Sequence, residues 1–241
     1  MPFQLPFRRK TEGAPPPVVV PAPRQPMIEP SHTGGPVSFG YKTAWLAFPS
    51  RDTSAVAAAL GLREAREVSW SEGVSTAYGT RSMFPTPVFV TPPIDGWVLA
   101  QVGVALFEDD GKGALDFAEL SRKFGEVQKF ASHRVVEYHE WQRWVDGSPV
   151  RRYCWVGERG EVIFEAGTPA KAEGNLVTMA DVARLRADEL GEAEADDFFS
   201  RTPNEDTVMA VAAEWSTDPS KVEERTDLAS TGLLGLFDQS S

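Results

Sequence analysis

Cysteine is nearly absent: Cys154 is the only one in 241 residues. A single thiol makes no intramolecular disulfide and no zinc knuckle. That composition suits a reducing compartment, and the expected location is the cytoplasm. Histidine is scarce too, at three, and His32 lies in a proline-rich arm. A three-histidine metal centre is therefore implausible, and neither a metal nor any other cofactor is expected. Long apolar runs are missing, since nothing approaches the ~20 apolar residues that span a bilayer. Residues 1–10, MPFQLPFRRK, place their charge after the apolar residues and lack a long apolar centre, unlike a secretory signal. Gly111-Lys112-Gly113 lacks the spacing and the following Ser or Thr of a phosphate loop. There is no G-x-S-x-G elbow and no H-E-x-x-H pair.

Positive charge is the other shortage. Twenty-four Lys and Arg face 35 Asp and Glu, a net charge of −11. The deficit is local: from Arg186 to Asp227, four basic residues stand against 13 acidic ones, a difference of −9. Phosphate contacts need a basic footprint, so no nucleic-acid partner is expected. An acidic surface attracts a basic protein and speeds the encounter.

What is present divides the chain in three. Ten of the 19 prolines fall in residues 1–40, and PPPVVVPAP favours extended polyproline II. Residues 1–40 are expected to be a disordered arm, 41–222 a single domain, and 223–241 a flexible tail. The domain opens on the apolar run Thr43–Phe48. Asp52 or Ser50 can cap a helix over Thr53–Leu60, with Gly61 closing it. Arg63–Trp70 reads as a strand. A similar unit follows: strand Gly96–Val102, loop Asp109–Gly113, helix Ala114–Phe124, strand Val127–Ala131. Asp146-Gly147 between the β-rich runs Arg134–Val145 and Val150–Val156 predicts a two-residue hairpin turn. Glu161–Glu165 adds a third strand. Helices are expected over Met179–Glu189 and from Pro203-Asn204, with Val208, Val211, Ala212 and Trp215 at helical spacing, ending at Asp218-Pro219. The expected class is α+β: a mainly antiparallel sheet with two β-α-β-like units and a three-strand meander, packed against helices.

The hairpin carries the candidate chemistry. If Val145 pairs with Ser148, His139 falls opposite Cys154 and Glu137 opposite Val156, on one face of the sheet. An imidazole beside a thiol can make a thiolate, and a carboxylate behind it would complete a triad. A buried Cys154 packing as a small hydrophobe competes with that reading. The opposite face in the same register carries Tyr138, Glu140, Arg151, Tyr153 and Trp155, a composition that fits a contact surface as well as a covered sheet. His133 reads as a turn residue, and Asp109-Asp110-Gly111 as a plain turn lacking the spaced ligands of a calcium loop. At the N-terminus, Phe7 beside Arg8-Arg9-Lys10 offers a weak membrane tether. At the other end, Leu233, Leu234, Leu236 and Phe237 form an apolar docking candidate after an acidic lead. Its Leu-x-Leu-Phe end resembles bacterial sliding-clamp-binding peptides, with Leu233 where those carry glutamine. Folding back onto the core is the competing role.

Phe124–Gly147, FGEVQKFASHRVVEYHEWQRWVDG, with Glu158–Glu161 and Glu214–Pro219, resembles a set of uncharacterised bacterial proteins. The resemblance covers roughly Thr43 to Pro219. It implies a bacterial origin and a shared fold, and it transfers no functional residue. Small acidic bacterial proteins without enzyme motifs include immunity proteins that neutralise a basic toxin. The leading expectation is a non-enzymatic, immunity-like protein that binds a basic protein partner through an acidic or aromatic surface. The rivals are an enzyme built on Cys154 and His139, and an accessory or cargo protein tethered by its C-terminal peptide.

Overall fold

A strand with large apolar side chains on both faces needs a covering layer on each. The first strand, β1 (Ala44–Pro49), sends Trp45 and Ala47 to one face and Ala44, Leu46 and Phe48 to the other, and all five are buried. Such a strand belongs in the middle of a sheet. The computed structural model describes residues 34–79, 85–103, 115–187 and 191–238 and places β1 there. The arm over residues 1–33, the Asp109–Gly113 loop and residue 114 of the expected helix lie outside the described residues.

The other strands are β2 (Arg63–Ser69), β3 (Thr86–Val90), β4 (Trp97–Val102), β5 (Glu126–His133), β6 (Tyr138–Val145), β7 (Ser148–Val156), β8 (Glu161–Gly167) and β9 (Thr231–Phe237). They form one sheet in the order β2-β9-β3-β4-β1-β5-β6-β7-β8, and every neighbouring pair is antiparallel. The class is α+β with a mainly antiparallel sheet, as the sequence predicts. The meander has four strands, because residues 134–137 form a turn that joins β5 to β6. Both strand–helix–strand units exist, but their strands are not neighbours: β4 and β5 flank β1, and β2 lies at the far edge.

Helices complete the layers. Helix α1 (Thr53–Ala59) is capped by Asp52, whose carboxylate accepts from the Ala55 amide at 3.0 Å. With α3 (Phe117–Phe124) it covers the Leu46 face. The Trp45 face is covered by α2 (Trp70–Gly79), α4 (Met179–Arg186), α5 (Glu192–Ser200) and α6 (Glu205–Trp215). Trp70, expected in a strand, instead opens α2. No described helix is long and apolar enough to cross a membrane.

The domain is longer than expected at both ends. Phe39 is buried edge-on against Trp45, and its amide donates to the Pro219 carbonyl at 3.1 Å. The expected flexible tail is strand β9, seated between β2 and β3. Leu234 and Phe237 are buried, so the docking candidate Leu233, Leu234, Leu236 and Phe237 is part of the sheet. Clustered Leu and Phe leave water when a strand position can bury them.

Candidate functional site

The hairpin turn forms as predicted. Asp146 and Gly147 take φ of 48° and 86°, and Val145 pairs with Ser148. The ladder then slips. Trp144 faces Pro149 and Arg143 faces Arg151, which leaves Val150 bulged. Proline has no N–H for the ladder and is tolerated beside a bulge. The extra residue changes every later partner. His139 stands opposite Trp155, and Cys154 opposite Glu140. Glu137 sits in the β5–β6 turn at φ 49°. His139 and Cys154 therefore project from opposite faces of the sheet, and the expected dyad does not form.

The same slip splits the expected aromatic face. Tyr138 and Glu140 join Cys154 on the Leu46 face, while Arg151, Tyr153 and Trp155 join His139 on the Trp45 face. Glu140, Arg151, Tyr153 and Trp155 are buried and Tyr138 is partly so, so these five residues make no open surface.

Around Cys154 the Leu46 face holds an internal polar network. Glu140 pairs with Lys129 at 2.7 Å and accepts from the Tyr138 hydroxyl and the Gln142 amide. Gln142 in turn accepts from Arg152 at 3.0 Å and Trp144 at 3.1 Å. Burial, then the Glu140 charge, pushes the Cys154 thiol up to about 12. The thiolate is the reactive form. At pH 8, Cys154 is expected to resist an alkylating probe in the folded protein and to label fully in denaturant. Rapid labelling of the native state, read by mass spectrometry, would contradict this placement.

The open site lies on the Trp45 face, at the end of the sheet where β5 turns into β6. A cleft of about 520 Å³ is lined by Tyr41, Arg134, Glu137, His139, residues Phe199–Ser200 and residues Thr202–Asp206. Three separate segments build it: the entry into β1, the 134–137 turn with the start of β6, and the junction between α5 and α6. The junction is held by Asn204, which caps α6 by accepting from the Thr207 amide at 2.9 Å. Glu205 is fixed across the sheet, because its Oε1 accepts from Ser132 Oγ at 2.9 Å and from the Lys42 amide at 3.4 Å. Ser132 is the cross-strand neighbour of His139. Asp206 accepts from the Tyr41 hydroxyl at 3.3 Å.

His139 forms part of the lining although it is only 3% exposed, and its Nδ1 has no hydrogen-bond partner among the described residues. Burial lowers its pKa to about 4, so at pH 7 the ring is neutral and offers one donor and one acceptor nitrogen. Tyr41 and Tyr78 are raised, first by burial and then by Asp206 and Glu205 respectively. Glu137, Glu205, Asp206 and Arg134 make no ion pair among the described residues. Three carboxylates against one guanidinium leave the cleft negative by two. Phe199 is 61% exposed on the lining, and Val135 is exposed on the adjoining turn.

No family model, curated protein or solved structure matches this chain.

The cleft offers a negative field, a neutral imidazole and an aromatic edge, which together suit the capture of a positively charged group. Among the described residues, no group of three His, Cys, Asp or Glu is placed to hold a metal ion. Of the residues singled out in sequence, Glu137 and His139 line the cleft, and Cys154 does not. Tyr41, Ser132, Arg134, Phe199, Glu205 and Asp206 carry no local motif. The Pro203-Asn204 helix start is the one local signal that fixes where α6 presents its first two acidic side chains.

Proposed function

We propose that the protein works by binding another protein, a basic one, in the manner of an immunity protein, and that the cleft is where the partner docks. The observation that carries this reading is the set of three carboxylates without ion-pair partners beside exposed Phe199 and Tyr41. Unpaired like charges held close together are unfavourable in the free protein and are relieved by an incoming cation. Exposed large apolar residues are usually scattered singly on a monomer. Here Tyr41, Tyr78, Val135 and Phe199, four of the seven among the described residues, lie on the cleft or adjoin residues that line it. The reading requires no nucleic acid and no cofactor, and places the encounter in the cytoplasm.

Tagged protein incubated with host lysate tests it. Capture of a basic partner is expected to weaken steeply with salt, since exposed charges are screened beyond about 10 Å at 0.1 M. The pair Glu205→Lys and Asp206→Lys is expected to weaken capture at least about tenfold. Glu119→Lys, an exposed position on α3 over the other face, serves as the control and is expected to leave it unchanged. Equal loss from all three substitutions, or none from the first two, would remove the cleft from the interface.

A further inference from the structure

We infer that the cleft receives an arginine side chain of the basic partner, with the guanidinium placed against His139 and between the Glu137 and Glu205 carboxylates. The inference rests on the reading that the cleft is the partner's site, and it names the group that enters.

The acceptors decide it. Glu205 uses Oε1 for Ser132 and Lys42, and its Oε2 makes no hydrogen bond among the described residues. Both oxygens of Glu137 and Oδ2 of Asp206 likewise make no hydrogen bond among the described residues, although Glu137 Oε2 lies against Gly157. His139 adds a nearly buried ring that makes no hydrogen bond among the described residues; its Nδ1 is closed off from solvent, so the nitrogen that can meet a guest is Nε2. The cleft therefore holds several acceptors without hydrogen bonds among the described residues, and the complementary group is one that only donates. Guanidinium supplies five N–H donors in a plane and no acceptor, and its face stacks on aromatic rings. Phe199 and Tyr41 supply such rings on the lining. An ammonium is compact, offers three donors from one point and has no flat face to lay against those rings. A carboxylate or phosphate would meet three carboxylates with Arg134 alone in its favour. The volume of about 520 Å³ lies within the range of sites that enclose small ligands, about 300–1,000 Å³.

His139 has a defined part. Because burial keeps it uncharged near neutrality, it can accept from a cation without repelling it. Glu137 stands where it does because Gly157 lies against it; a Cβ at Gly157 would come within 2.0 Å of the Glu137 carboxylate. Arg134 opposes the guest, and its removal is expected to tighten binding.

The test uses blocked arginine, Nα-acetyl-arginine-N-methylamide, and its uncharged citrulline counterpart, titrated into the full chain by NMR. The arginine compound is expected to shift the His139 ring resonances and the amides of residues 199–206, with a dissociation constant on the order of millimolar. Citrulline is expected to bind at least about tenfold more weakly. Glu205→Gln keeps an acceptor for Ser132 and is expected to weaken the arginine response, while Arg134→Ala is expected to strengthen it. Equal shifts from citrulline, or arginine shifts that bypass His139, would overturn the inference. Should arginine fail to bind while Glu205→Lys still abolishes partner capture, the arginine assignment falls and the partner site stands. Should arginine bind while capture ignores Glu205→Lys, the guanidinium does not come from the partner, and the inference falls with the reading beneath it.

Discussion

A chain ending at Ser230 will fail to fold, and will not simply lose a detachable peptide. The lost segment is β9, which pairs with β2 on one side and β3 on the other. Without it β2 has no neighbour, and β3, buried along its whole length, becomes an edge. Leu234 and Phe237, 7% and 6% exposed, lose their sites, each worth about 1.5–3 kcal/mol in burial alone. Two such losses approach the 5–15 kcal/mol that typically holds a domain together. The fit is close: a Cβ at Gly232 would lie 2.4 Å from the Val90 carbonyl oxygen, so this position takes only glycine. The expected result is loss of the cooperative thermal transition followed by circular dichroism. Leu234→Ala, a milder version, is expected to cost about 2–5 kcal/mol. A truncated chain that melts like the intact one would show that β9 is dispensable.

The second large effect is expected at Glu173. Arg151 and Glu173 are each 4% exposed and form a bidentate pair, with Arg151 Nε donating at 3.0 Å. Arg151 Nη1 also donates to the carbonyls of Ala166 and Gly167, at 3.3 and 3.4 Å. The pair ties β7 and the end of β8 to the turn Lys171–Glu173. Helix α6 holds that turn from the other side, since Glu214 accepts from the amides of Lys171 and Ala172 at 3.1 and 2.7 Å. Glu173→Ala leaves a guanidinium buried without its counter-charge, which costs about 3–5 kcal/mol. Replacing both partners by methionine removes the unpaired charge and is expected to recover most of that loss. Urea unfolding of the three variants checks both points. A Glu173→Ala variant within about 1 kcal/mol of the parent would mean that water reaches Arg151.

Local signals carried much of the fold. The apolar runs of β1 and β4, the Asp52 and Asn204 caps and the Asp146-Gly147 turn all act over a few residues, and all were readable. The failures came from longer-range effects. Pro149 announces a ladder defect two residues past the turn, and counting straight through it put His139 opposite Cys154. Helix α5 carries four acidic residues in nine and lacks an apolar stripe of its own; Phe198 is its buried anchor among the described side chains. The tail looked like a docking peptide because the strands that pair with it, β2 and β3, lie more than 140 residues earlier. The cleft was illegible for the same reason. Residues 41, 134–139 and 199–206 meet only after β1, β5 and β6 have paired and α6 has packed across them. The acidity of the last quarter was visible, but its placement at the start of α6, facing Ser132 and Tyr41, was not.

The central claim, that the cleft receives a basic protein, is tested most directly by hydrogen–deuterium exchange on the captured complex. The account predicts slowed exchange in residues 132–139 and 199–206, with β2 and α3 unchanged. Protection confined to β2, α3 or the β8 edge, with the cleft segments exchanging as in the free protein, would contradict it.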